Sequence, residues 1–173
     1  MGVFLYRLMG AATLDAGMFE QIEADRRATV QSAIVVLVAS LALGLGISPP
    51  TGGKIGTFLL VSAAALTTWL AWAAITLLIG TRLLPQPGTR ADMGEVMRTI
   101  GFAAAPGWLL ALAALSEVKW PFIAITSAWM LASMVVALQH ALDYANIGRA
   151  VTVCVLGAAL IGSMIVLLGQ SVA

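Results

Sequence analysis

Residues 55–80 read IGTFLLVSAAALTTWLAWAAITLLIG, a continuous apolar run without a charged side chain. The hydrocarbon core of a bilayer is about 30 Å thick, and about 20 apolar residues of helix cross it. The run exceeds that need, which gives it scope to tilt or to reach into the headgroup region. Inside lipid a backbone must satisfy its own hydrogen bonds, so the stretch is expected to be helical. Its apolar residues are continuous and not alternating, which argues against a barrel strand.

Four more such stretches flank it, at Thr29–Ser48, Phe102–Leu115, Pro121–Gln139 and Val151–Leu168. The chain of 173 residues is 61% hydrophobic and 10% charged, against about half and a quarter in soluble domains. The expected fold is all-α: a polytopic integral membrane protein with a five-helix transmembrane bundle over residues 29–173. Residues 1–28 form an amphipathic amino-terminal interfacial segment. A net charge of +1 argues against a nucleic-acid partner.

Charge placement sets the expected orientation. Arg7, Arg26 and Arg27 precede the first stretch; Arg82, Arg90 and Arg98 lie between the second and third; Arg149 lies between the fourth and fifth. The other side receives Lys54 and Lys119. Short-loop basic residues favour the cytoplasm. The protein is therefore expected in the cell inner (cytoplasmic) membrane, with the amino terminus cytoplasmic and the carboxyl terminus outside. Arg7 interrupts the first short apolar run, so the start does not read as a secretory signal. Tyr6 stands where myristoylation needs Ser or Thr. Cys154, the single cysteine, reads as a small hydrophobe within the last stretch.

In the amino-terminal segment Leu14, Met18 and Ile22 recur every four residues, with Phe19 beside them. They form one apolar stripe of a helix expected over Val3–Arg27. Asp15, Glu20, Glu23 and Asp25 take the wetter face, so attraction to anionic lipid is expected to be weak. Such a helix either lies in the cytoplasmic interface or packs onto the cytoplasmic ends of the spans; the pattern fits both. Asp25 is placed to cap the first span.

Ser40, Gly44 and Ser48 repeat at intervals of four, as do Ala158 and Gly162. Small residues at this spacing let a second helix approach closely, and these five are the candidate helix-packing positions. Trp69 and Trp72 fall near the middle of the second stretch, outside the usual interfacial belt. They read as packing or lipid-facing side chains, with a cofactor contact as the alternative. The breaker Pro85–Gln86–Pro87–Gly88 ends that stretch. Thr89, three residues before Asp92, suggests a capping box opening the next helix. Pro106 and Gly107 are the candidate kink: Pro106 lacks an amide hydrogen and its ring crowds the preceding turn. The helix is expected to be kinked but continuous from about Val96, with a broken helix as the alternative. His140 closes the fourth span. A metal, pigment or proton-carrying role is conceivable there, but a solvated or capping histidine at the cytoplasmic boundary is the simpler account.

Three segments carry a family resemblance. Phe19–Glu20–Gln21–Ile22–Glu23–Ala24–Asp25–Arg26–Arg27–Ala28 is the first. Arg98–Thr99–Ile100–Gly101–Phe102–Ala103–Ala104–Ala105–Pro106–Gly107 and Ala141–Leu142–Asp143–Tyr144–Ala145–Asn146–Ile147–Gly148–Arg149–Ala150 are the others. Together they resemble the Yip family (Ypt/Rab GTPase-interacting proteins), in its bacterial branch. The resemblance implies the same five-span layout with the amino end inside. It implies no catalytic residues. Eukaryotic relatives act in vesicle traffic, bind Rab-type GTPases and are linked to membrane shaping. The long cytosolic amino-terminal domain and the tyrosine-glycine-rich motif of several of them are not found here, so a Rab-type GTPase is not an expected partner.

The functional expectation is a non-catalytic scaffold or accessory subunit that contacts membrane lipid, other integral membrane proteins or itself. A peripheral place in a larger respiratory or photosynthetic complex is one version. The alternative is a small transporter or channel using the Pro106 break, although the central portions of the spans carry no ionisable residue. No zinc motif, Ser-His pairing or phosphate loop is present, so no catalytic, cofactor or metal residue is assigned.

Overall fold

The computed structural model describes residues 2–47, 55–87, 89, 91–115 and 118–172. The described residues contain helices and no strand. Two short helices, α1 (Gly2–Ala12) and α2 (Ala16–Ala24), precede α3 (Ala28–Ile47). Next come α4 (Ile55–Leu78, running on as a π-helix over Ile79–Leu83) and α5 (Met93–Ala103, running on as a 3-10 helix over Ala105–Leu115). α6 (Lys119–Ala141) and α7 (Ile147–Val172) complete the chain. Among the described residues five helices, α3 to α7, are long and apolar enough to cross a membrane.

The ends of the spans alternate. Tyr144, after α6, donates its hydroxyl to the carbonyls of Gly80 and Leu84 at 3.0 and 2.9 Å. Arg98 of α5 reaches the end of α2. The starts of α3, α5 and α7 and the ends of α4 and α6 thus share one side, the arginine end. At the opposite end Lys119 Nζ donates to the Ile47 carbonyl at 2.9 Å. A cation there meets the negative carboxyl end of α3.

α5 is the central span. Its apolar window is 72% buried, against 17–44% for the other four. Two buried clusters surround it. One joins Met18, Phe19 and Ile22 of α2 to Val35, Trp69, Phe102 and Ala137. The other joins Trp72, Ile79, Val96, Leu138, Leu142 and Val153. α7 lies against α4 and α6.

The segment Val3–Arg27 departs from the single expected helix. Leu14 adopts a left-handed φ of 61°, and the Asp15 amide donates back to the Gly10 carbonyl at 2.9 Å. This closes α1 with an αL turn. Asp15 then caps α2, its side chain accepting from the Met18 amide at 3.2 Å. The cap competes with continuation of α1 and makes the break. Both helices pack on the bundle: Met18, Phe19 and Ile22 are buried. The last carbonyls of α1 have no partner within that helix. Ser133 of α6 donates to Ala11 O at 2.9 Å, and Trp129 to Ala12 O at 2.7 Å.

The capping box of α5 also differs from the expected one. Asp92 is the N-cap, accepting from the Glu95 amide at 2.8 Å, and Glu95 accepts from the Asp92 amide at 2.9 Å. Thr89 instead accepts from the Gln86 amide within the preceding turn. The helix therefore opens at Met93, which places Arg98 inside the third span. Its α-winding ends at Ala103, and Gly107 N donates to Ala104 O at 2.9 Å. In the 3-10 segment Gly107, Leu110 and Ala113 are buried while Leu109, Leu112 and Leu115 are exposed. Burial thus follows the three-residue turn of that helix type.

Candidate functional site

Two concavities lie at different depths of the bundle. The first is a polar crevice of about 620 Å³ at the arginine end. Glu20, Glu23 and Arg26 line it from the α2 side, Asp92, Glu95 and Arg98 from the start of α5, and His140, Asp143 and Tyr144 from the end of α6. Arg98 is 6% exposed. Its Nε and Nη2 donate to the main-chain oxygen of Glu23 at 3.2 and 2.7 Å. Burial pushes the Glu23 carboxyl up from 4.5 to about 7; Asp143, Glu95 and Glu20 add to the push and Arg98 opposes it.

His140 stands in the last turn of α6, its Nδ1 3.5 Å from Glu20 Oε1. Among the described residues no three His, Cys, Asp or Glu side chains are grouped to hold a metal ion. Asp143 has a φ of 52°, and the Tyr144 amide closes the αL turn by donating to Gln139 O at 2.8 Å. Asp143 is thereby fixed facing Glu23. Burial raises the pKa of the Tyr144 phenol, with Arg149 opposing.

Beside the crevice, Arg7 Nη2 lies 2.7 Å from Asp25 Oδ2, and its Nη1 donates to Gln31 Oε1 at 3.0 Å. The hydrogen bond from Arg7 holds the Asp25 carboxyl below its ordinary value, and the Arg27 amide adds to it. Asp25 accepts that amide at 2.9 Å, just before α3 opens. One carboxylate so serves both a helix start and the anchoring of α1.

The second concavity is an apolar cleft of about 520 Å³ between α3, α4, α6 and the 3-10 segment of α5. Val36, Ala39, Leu43, Val61, Leu110, Met130 and Met134 are among the residues of its wall. Trp69 and Trp72 also line it. Both are buried, and neither indole nitrogen has a hydrogen-bond partner among the described residues.

The candidate packing positions divide between inner and outer faces. Ser40 is buried and lines the apolar cleft. Gly44 lets α4 approach: a Cβ there would run into Ser62 and Phe58. Ser48 lies outside the described residues. Ala158 and Gly162 are exposed on α7, and a Cβ added to Gly162 would meet nothing within 4 Å. Gly157 of α7 faces α4: a Cβ added there would lie 3.4 Å from Thr76 Cγ2. Pro106 and Gly107 are buried at the change of winding in α5. Gly107 faces Ala39 of α3 and Met130 of α6.

Arg98 and Glu23 escaped the sequence reading as a pair, because they are 75 positions apart. The signal for Arg98 was the Asp92–Glu95 box, which moves the helix start upstream. Nothing in the spacing pairs Ser133 or Trp129 with the end of α1.

The sequence profile of the Yip1 domain matches residues 16–168. No curated protein and no solved structure matches the chain. The matched region takes in all five membrane-length helices and both concavities. The chain therefore belongs to the Yip1 domain family.

Proposed function

We propose that this membrane protein is a non-catalytic scaffold or accessory subunit, working through helix–helix and lipid contacts. Its partners are other integral membrane proteins or a second copy of itself. It sits in the cell inner membrane with the arginine end cytoplasmic, which leaves the end of α7 outside. A peripheral place in a respiratory or photosynthetic assembly is the specific form of the proposal.

The open face of α7 carries this reading. Ala158 and Gly162 are exposed one turn apart, and the backbone at Gly162 is unobstructed. Close approach of a second helix needs such a surface. Several hydroxyls at membrane depth bond back to their own helix: Thr67 to Ala63 O at 3.0 Å, Thr76 to Trp72 O at 2.7 Å and Ser163 to Leu160 O at 2.8 Å. Such hydroxyls need no transport role. The surroundings of Pro106, from Phe102 to Gly107, are buried and apolar, which gives the transporter alternative little to work with.

Extraction in a mild detergent followed by native electrophoresis tests the proposal. Recovery in a defined larger assembly, lost in Gly162→Phe, is the expected result. A lone monomer in gentle extracts, unchanged by Gly162→Phe, would overturn it.

A further inference from the structure

α1 has 11 residues, too few to cross a bilayer, yet both its ends meet the middle of a span. Its last carbonyls, at Ala11 and Ala12, accept from Ser133 Oγ at 2.9 Å and Trp129 Nε1 at 2.7 Å. Those residues stand 8 and 12 positions before Ala141, the end of α6, or about 12 and 18 Å along the helix. Near the start of α1, the Phe4 ring lies 6.2 Å from that of Phe102 and 6.3 Å from that of Trp108. Phe102 is the tenth residue of the 23-residue span Met93–Leu115, and Trp108 the sixteenth. α1 thus lies across the bundle below the arginine end, not on top of it.

The outward face of α1 carries no charge. Val3, Leu5, Tyr6 and Met9 are 52–68% exposed. Arg7 turns inward and reaches Asp25 and Gln31, beside the opening of α3. A helix that is apolar on both faces has no wet side. Its backbone is closed as well. The last four carbonyls each accept a hydrogen bond: Met9 and Gly10 from the Thr13 hydroxyl at 3.0 and 3.1 Å, Ala11 from Ser133 and Ala12 from Trp129. In the turn that follows, the amides of Thr13, Leu14 and Asp15 donate to Met9, Ala11 and Gly10 at 2.9, 3.2 and 2.9 Å. Water would satisfy such groups without help from α6, whereas hydrocarbon demands partners within the protein. Trp129 is itself exposed on α6, so the end of α1 lies on the lipid side of the bundle. The exposed carboxylate of Asp15 opens α2, which climbs back to Glu23 and the arginine end; it sets the limit of burial on that side.

We propose that α1 is embedded in the phospholipid leaflet of the arginine end, held at that depth by Trp129 and Ser133, with Leu5, Tyr6 and Met9 set among acyl chains. This surface is a lipid contact at hydrocarbon depth, unlike a helix resting on headgroups. The assignment goes beyond the scaffold reading and does not depend on it.

The test places a nitroxide at single engineered cysteines of the full chain, on a Cys154→Ala background, in vesicles of phosphatidylcholine and phosphatidylglycerol. Collision with oxygen, which concentrates in hydrocarbon, is compared with collision with a water-soluble nickel chelate. Labels at Leu5→Cys and Met9→Cys should lose the nickel effect, as should one at Ile125→Cys, exposed on α6. A label at Gln21→Cys, exposed on α2, should keep it. In Trp129→Phe with Ser133→Ala the Met9 label should regain the nickel effect, as the bared carbonyls turn to water, while the Gln21 label stays unchanged. Three results would overturn the proposal. One is nickel collision at Leu5 and Met9 equal to that at Gln21. Another is spin–spin broadening there that vanishes on dilution with unlabelled chain, which would put a second copy on this face. The third is a Met9 label unmoved by the paired substitution.

Discussion

Among the described residues no carboxylate oxygen forms an ion pair with Arg98; its guanidinium rests on the main-chain oxygen of Glu23, at 2.7 Å from Nη2. That oxygen belongs to the last turn of α2, where carbonyls lack partners within the helix and the helix end is negative. A buried arginine and an unsatisfied helix end thus meet each other's needs.

Arg98→Ala should leave that helix end bare and loosen α2. A hydrogen bond to a charged group contributes about 1.5–3 kcal/mol, so amide exchange across Ala16–Ala24 should rise about tenfold or more. Exchange mass spectrometry in micelles checks this, with α4 as the internal reference.

Glu23 makes the docking of α2 depend on pH. Its folded-state pKa of about 7 exceeds the ordinary 4.5, so the folded state holds the proton more tightly than the unfolded one. The stabilisation is complete below about 4.5 and is lost as pH rises through about 7. α2 should therefore resist proteolysis better at pH 5 than at pH 8, and Glu23→Gln should flatten the profile. A chain equally resistant at both values, with or without the substitution, would refute this.

Asp143→Asn retains a residue tolerant of the left-handed turn and removes a negative charge facing Glu23. The midpoint of the pH profile should move down. It should stop short of the ordinary carboxyl value, because burial is the largest cause of the shift. Infrared titration of the carboxyl band, with Glu23→Gln for assignment, reads the midpoint.

Gly46→Val should separate α3 from the 3-10 segment, since a Cβ at Gly46 would run into the Leu110 carbonyl. Overpacking of this kind costs about 1–3 kcal/mol. Gly56 has open space around it, so Gly56→Ala should leave thermal unfolding in detergent nearly unchanged while Gly46→Val lowers it.

Ser133→Ala should free the amino-terminal helix. It strips the Ala11 carbonyl of its buried donor, at a cost of about 1–3 kcal/mol. Faster cleavage near Leu14 than in the parent is the expected readout.

Much of the architecture was legible because uniform hydropathy over a membrane length admits few alternatives. The stretch at 55–80 sits within the observed span Ile55–Leu83. What escaped was set by competition between local caps. Asp15 and Asp92 each won a helix start, which split residues 1–28 into two helices and moved the third span back to Met93. The two concavities were harder to see. Trp69 and Trp72 stood out in the sequence, but the cleft beside them is shaped by α3, α5 and α6. The crevice at Glu23 forms only when three distant segments converge. The packing positions rest on residue size and four-residue spacing, which do not tell Gly157, turned to α4, from Gly162, turned outward.

The change of winding at Ala104 alters how far α5 can reach. A 3-10 helix climbs about 2.0 Å per residue, and an α-helix about 1.5 Å. The second half, Ala105–Leu115, has 11 residues, which at that pitch extend roughly 22 Å instead of about 16 Å. Tighter coiling makes a longer rod, so an apolar half that looks too brief to complete the crossing gains several ångströms without an added residue.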